Sequence, residues 1–114
     1  MSKITFFGKS VRTESQLEKA FKDKLKGAGF LCYKFSSPAK RAVPDCIVIS
    51  PNGHITFIEF KSPLNGSKVT KLQQIEIDKM SKQNARVFVV HNGIEGERLY
   101  DFLVLTGSFK RADL

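Results

Sequence analysis

Two carboxylates and an ammonium stand close together in the middle of this chain: Asp45 directly after Pro44, then Glu59 and Lys61 on either side of Phe60. Carboxylate oxygens are what a hard divalent cation such as Mg²⁺ takes, usually one or two from the protein with water and substrate phosphate completing the shell. A cation held that way polarises a phosphoryl oxygen and acidifies a water. A lysine beside it stabilises the negative charge that develops. The chemistry these residues suit is therefore metal-dependent phosphodiester hydrolysis. Asp45 and Glu59 are the candidate ligands, the backbone carbonyl of Phe60 a third oxygen, and Lys61 the group that steadies charge or orients water.

The flanking residues bring them together. Cys46-Ile47-Val48-Ile49-Ser50 is apolar and β-branched, and Pro51-Asn52-Gly53 is turn chemistry, so residues 54–61 are predicted to return antiparallel. Asp45 at the start of one arm then lies beside Glu59 near the end of the other. Side chains alternate along a strand, so Glu59 and Lys61 share a face about 6.6 Å apart, at about 3.3 Å per residue, while Phe60 points the other way. Pro44 suits the first position of a strand, where no N–H is needed. The plainer alternative is a strand cap at Asp45 and a rim ion pair between Glu59 and Lys61. Burial favours the site: Ile55, Phe57, Ile58 and Phe60 predict a strand apolar on both faces and covered on both sides, where charges need a metal or partners to offset desolvation.

Upstream, Thr13-Glu14-Ser15-Gln16 reads as a capping box opening a helix that ends near Gly27 or Gly29. Leu17, Ala20, Phe21, Leu25 and Ala28 form its inner stripe. Glu14 falls in that same sector, as a dipole partner or as a site residue reaching the metal through water, and Glu18 lies near the same edge. Lys19, Lys22, Lys24 and Lys26 fan over the outer side, as phosphate contacts or as plain solvation. A strand over 30–35 carries Lys34 near its end. The loop that follows places Lys40 and Arg41 just ahead of Asp45, where they are set to grip a phosphate. Residues 1–12 contain Ile4-Thr5-Phe6-Phe7, an apolar patch suited to an edge strand, a dimer contact or a mobile arm.

Downstream, Thr70-Lys71-Leu72-Gln73 is a second capping box, opening a helix to about residue 84. Val69, Leu72, Ile75, Glu76, Lys79 and Met80 fall in one sector, with Gln73 at its edge, placed either to hydrogen-bond at the site or simply to cap. Residues 86–90 are an apolar fourth strand, and strand-helix-strand implies a parallel crossover beside the Glu59 strand. His91-Asn92-Gly93 reads as a turn. A last helix over 97–105 has apolar area beyond one face, which suits a dimer seam. The expected fold is one α/β domain over 1–114, with a core of about 13–105 and terminal extensions: a mixed β-sheet flanked by helices, in the order αβββαβ.

Composition narrows the partners. The 114 residues carry a net charge of +8. Ten Lys/Arg against three Asp/Glu lie in residues 1–43, and nine against eight in the remainder, so the excess belongs to the N-terminal half and points to a polyanion such as nucleic acid. The two cysteines read as buried thiols, and the two histidines lack zinc-site spacing. No Walker-type loop and no Gly-x-Ser-x-Gly elbow is present, which argues against a nucleotide-binding loop and a serine hydrolase. No apolar run reaches the roughly 20 residues of a membrane span and the start lacks a signal pattern, so the expectation is a cytoplasmic protein without membrane association.

Glu14, Pro44-Asp45, Glu59-x-Lys61 and Gln73 in that order resemble the PD-(D/E)XK nuclease superfamily, whose sheet is of the restriction-endonuclease type. The run Ser37-Pro38-Ala39-Lys40-Arg41-Ala42-Val43-Pro44-Asp45 is similar to the corresponding segment of its VRR-NUC (virus-type replication-repair nuclease) branch, with Ala42 where that branch usually has Gly. The resemblance spans about residues 13–90. It implies DNA cleavage dependent on Mg²⁺ or Mn²⁺, with Glu14, Asp45, Glu59, Lys61 and Gln73 as site residues. The small stand-alone members resemble resolvases of four-way (Holliday) junctions that act as homodimers, so a structure-selective endonuclease on branched DNA is the leading expectation. A DNA-binding or recombination accessory module without turnover is the alternative. A restriction-type nuclease is a third reading, disfavoured because so short a chain leaves little room for a base-reading insertion.

Overall fold

Threonine side chains open two of the helices. In the computed structural model, which describes residues 4–39, 42–64 and 66–108, Thr13 accepts from the Gln16 N–H at 3.0 Å while Gln16 Oε1 accepts from the Thr13 N–H at 3.2 Å. That reciprocal box starts α1 (Glu14–Gly27). Thr70 and Gln73 repeat it at the start of α2 (Lys71–Lys82). After α1 the chain turns through Gly29 at φ +90°, a left-handed conformation that costs a residue without a Cβ little.

Among the described residues six strands accompany the helices. β1 (Thr5–Phe6) and β2 (Lys9–Ser10) form a small antiparallel hairpin. Its two turn residues, Phe7 and Gly8, both lie at positive φ, as the tight turns that match strand twist require. The main sheet has the order β3 (Leu31–Lys34), β4 (Cys46–Ile49), β5 (Ile55–Phe60), β6 (Arg86–Val90). β3–β4 and β4–β5 are antiparallel, and β5–β6 is parallel, with α2 in the crossover. This is the mixed sheet flanked by helices that the pattern predicts.

The core lies between one face of the sheet and the pair α1 and α3 (Gly93–Gly107). Leu17, Phe21 and Leu25 of α1 meet Cys46, Val48, Ile58 and Phe60, and Phe21 packs edge-on against Phe60 at 5.6 Å.

Four expectations need correcting. Within the predicted extension 1–12, the described residues 4–12 pack on the core: Phe6 and Val11 are buried at 2% and 0% exposure, and the Phe6 ring stands 5.8 Å from that of Phe21. The hairpin docks on α3, where a Cβ on Gly93 would lie 1.6 Å from the Thr5 carbonyl oxygen, so only glycine admits so close an approach. The last helix begins earlier than 97, because Asn92, read as part of a turn, caps it by accepting from the Glu95 N–H. The inner face of α2 is rotated by roughly 80° from the sector of Leu72 and Ile75: Ile77 is buried and Gln73, Glu76 and Met80 half-buried, while Leu72 and Ile75 are exposed. α2 packs chiefly on β6, so β5 is not covered on both sides along its length. Ile55 is exposed, and burial is complete only from Ile58 onward.

Since Phe6 is a core residue, Phe6→Ala should lower stability by about 3 kcal/mol or more, in the range of buried Phe truncations. Urea unfolding checks this. A peripheral arm would leave the midpoint unmoved.

Candidate active site

The hairpin register fixes the central pair. Cys46 pairs with Ile58, so Asp45 and Glu59 are the next residues along, and side chains of opposed residues emerge on one face. The Phe35 N–H donates to the Asp45 carbonyl at 2.9 Å, tying the same point to β3. The Asp45 N–H donates to the Glu59 carboxylate. Pro44 is fully buried just ahead of the strand, which holds the turn into β4 rigid.

Glu59 and Lys61 are buried, at 6% and 9% exposure. Lys61 Nζ lies 3.5 Å from Glu59 Oε2 and donates to Gln73 Oε1 at 2.8 Å. Gln73 Nε2 donates back to Glu59 Oε2 at 3.1 Å. Gln73 Oε1 also accepts from the Thr70 N–H at 2.9 Å, so one amide both caps α2 and closes a ring with Glu59 and Lys61. The site and capping alternatives for Gln73 coexist in one side chain.

Asp45 is the exception to this satisfaction. Its Oδ1 is a buried oxygen without a hydrogen-bond partner among the described residues. Burial, then the charge of Glu59, then that of Glu18, push its pKa up to about 7. Burial also raises Glu59, against the pull of Lys61. Two adjacent, poorly solvated carboxylates, one with an orphaned oxygen, are a donor set that fits a hard divalent cation. Among the described residues no group of three or more His, Cys, Asp or Glu side chains is set to hold a metal.

Helix α1 contributes differently from the reading of its stripe. Glu14 is exposed, one turn ahead of the first buried position, Leu17, yet near enough that its charge acts on both Asp45 and Glu59. Glu18, one turn on, is the half-buried acid. Its Oε2 is 2.6 Å from Lys22 Nζ and 4.0 Å from Lys34 Nζ. Lys22 therefore turns inward instead of lying on the outer side, its side chain only 18% exposed. With Lys19, Lys26 and Asp23 these residues line a groove of about 300 Å³ between α1 and β3, and the charges of two of them, Glu18 and Lys34, act on Asp45. The Glu18 link between two lysines was hidden in sequence, because it joins a helix to a strand sixteen positions away. Lys40 and Arg41 lie outside the described residues.

The VRR-NUC domain profile matches residues 9–92. This chain belongs to the VRR-NUC family. It is 38% identical over 77 residues to "Putative nuclease p44" of Acyrthosiphon pisum secondary endosymbiont phage 1, a match covering 68% of this chain and 73% of that protein. A solved structure titled "VRR_NUC domain" superposes with a TM-score of 0.67 at 30% identity, over 81% of this chain and 94% of that one. The VRR-NUC profile spans β2 through β6 and includes Asp45, Glu59, Lys61 and Gln73. The chain is thus a nuclease domain, which implies DNA as substrate.

The raised pKa of Asp45 carries a sign. The folded state keeps the proton up to about pH 7, whereas an unperturbed aspartate releases it near 3.8. Between those values the unfolded state binds fewer protons, so this group's contribution to stability falls as pH rises. Metal-free Asp45→Asn should therefore lose less stability than the native protein from pH 4 to 7 and exceed it at pH 8, with Glu59 leaving a residual slope of the same sign. Urea midpoints against pH decide; parallel curves would contradict the burial argument.

Proposed function

We propose that this VRR-NUC domain is a divalent-metal-dependent, structure-selective endodeoxyribonuclease, acting on branched DNA of the four-way-junction kind as a pair of copies. The observation that carries the reading is the orphaned Asp45 Oδ1 beside Glu59. A buried carboxylate oxygen without a donor is costly unless a cation meets it.

In this reading Asp45 and Glu59 hold Mg²⁺ or Mn²⁺, with the Phe60 carbonyl as a further oxygen and Glu14 reaching it through water. When bound, such an ion polarises the phosphoryl oxygen and makes an attacking water more acidic. The chain's own side chains do the rest. Lys61 presents its ammonium to the phosphate as the water oxygen bonds to phosphorus, one P–O ester bond breaks and the proton ends on the departing oxygen. Gln73 and Glu59 hold Lys61 in place beforehand, so little reorganisation is needed at the moment of reaction. Lys22, Lys26 and Lys34 along the α1–β3 groove, together with Lys40 and Arg41, take the flanking backbone phosphates. The action of the groove charges Glu18 and Lys34 on Asp45 supports a strand running from one to the other.

Junction, flap, single-stranded and linear duplex DNA, incubated with Mg²⁺ or EDTA, test this directly. Nicking should favour the junction and vanish with EDTA or Asp45→Ala. Binding without nicking under every condition would leave only an accessory DNA-binding module. Lys61→Ala should lower kcat by about 100-fold or more, as loss of one charge-stabilising group does. In the binding arm, Lys40→Ala with Arg41→Ala should weaken affinity and reduce the slope of log K against log salt by about 2. An unchanged slope would remove that loop from the interface.

A further inference from the structure

His91, which the sequence shows only as part of a turn, stands directly beside Lys61. Phe60 pairs with Val90 in the parallel register of β5 and β6, and the Lys61 N–H donates to the Val90 carbonyl at 2.9 Å. The next residue on each strand is therefore Lys61 on one and His91 on the other. Backbone groups of an extended chain point alternately to its two sides. The Val90 carbonyl turns in to β5, and the His91 N–H turns out, donating to Glu95 Oε1 at 2.8 Å, so the alternation runs one residue past the end of β6. By the matching alternation of side chains, Val89 and His91 leave the sheet on the face of Glu59 and Lys61. At about 4.8 Å between strands, an imidazole and an ammonium rising from one face at one level can reach a single phosphate.

The ring is also oriented. Its Nδ1 lies 2.9 Å from Glu95 Oε1, and a carboxylate oxygen only accepts, so Nδ1 carries a hydrogen. Glu95 is itself held, its N–H donating to Asn92 Oδ1 at 2.9 Å where α3 begins. Nε2 has no partner among the described residues, and the side chain is 39% exposed. A carboxylate that fixes one ring nitrogen and leaves the other open is how a histidine is set to pass a proton.

The neighbours give the transfer its direction. β5 brings Lys61, with Glu59 two residues back; α3 brings Glu95; α2 brings the neutral Gln73. Lys61 is committed to Glu59 and Gln73, and Asp45 lies across β5, at the start of β4. Asp45 and His91 thus flank Lys61 from opposite sides, and an in-line displacement puts the incoming and departing oxygens on opposite sides of phosphorus. We propose that His91 is a further catalytic residue, giving its Nε2 proton to the departing ester oxygen, with Glu95 as its positioning residue. The inference rests on the nuclease reading. As the water oxygen bonds to phosphorus and releases its proton to solvent, the P–O ester bond breaks and leaves its electron pair on the departing oxygen. The Nε2 proton converts that oxygen to a hydroxyl, and His91 regains a proton from solvent, so the net reaction is unchanged.

The plainer role is a His91–Glu95 pair that only shapes the entry to α3. Junction DNA with sulfur in place of the departing bridging oxygen separates the two, because a thiol ionises near pH 8.5 and its thiolate leaves without a proton. With Mn²⁺ in both arms, His91→Gln should lower kcat by about 100-fold or more on oxygen DNA and far less on sulfur DNA, with unchanged circular dichroism. Glu95→Gln should show a smaller loss, relieved in the same way. His54→Ala, at the opposite end of β5, should change neither. A second readout needs no turnover: in EDTA, uncut junction DNA should shift the imidazole NMR signals of His91 and leave those of His54 in place. Equal losses on the two DNAs, full activity of His91→Gln, or unmoved His91 signals would overturn the proposal. Native protein that cuts neither DNA would sink the nuclease reading itself, whereas native cutting matched by His91→Gln sinks this proposal alone.

Discussion

Removing two neighbouring carboxylates from water is the constraint on which the rest of the site depends. Like charges opposed across an antiparallel pair destabilise a sheet, and burial at the Asp45–Glu59 step raises both acids above their ordinary range. Glu59 is compensated by Lys61, by Gln73 and by the Asp45 N–H. Asp45 Oδ1 has no such compensation among the described residues. A sheet selected for stability alone gains nothing from this asymmetry. An oxygen left unsatisfied while its neighbour is fully bonded marks where a cation would gain most, and it keeps the two carboxylates from serving the same structural end.

The compensation of Glu59 ties local folding to the site. Gln73 accepts from Thr70 to start α2 and accepts from Lys61 through the same oxygen, while its amide nitrogen reaches Glu59. The first turn of α2 and the end of β5 are therefore ordered by one side chain. Lys61 loses rotamer freedom on folding, and in the proposed reaction that would be the advance positioning on which electrostatic catalysis relies.

Much of this was legible in the residues, for identifiable reasons. The capping boxes at Thr13 and Thr70 are local in sequence, and both formed. The Pro51-Asn52-Gly53 turn set the register that opposes Asp45 and Glu59. What escaped depended on non-local docking. Whether Phe6 is core or arm is decided by α3, some ninety residues away, and by the absence of a Cβ at Gly93. The azimuth of α2 could not be taken from its apolar residues, because Leu72 and Ile75 face outward, and the polar demand of Lys61 and Glu59 for Gln73 outweighs them. Glu14 lies on the predicted sector but a turn too early to be buried, and Glu18 takes the inner place beside Lys22 and Lys34.

The outward placement of Leu72 and Ile75 has a further physical meaning. Mixed and parallel sheets are ordinarily covered on both faces, and among the described residues α2 is the helix left for the second face once α1 and α3 have taken the first. Turning α2 so that Gln73 meets the site draws it to the β6 edge and exposes its own apolar residues beside an uncovered strip of β3 to β5. Cover for that strip and order for Lys61 therefore compete for the same helix. The two sides differ accordingly: Lys19, Lys22, Lys26 and Lys34 line the groove on the α1 side, and Leu31, Tyr33 and Ile55 stand exposed on the strands.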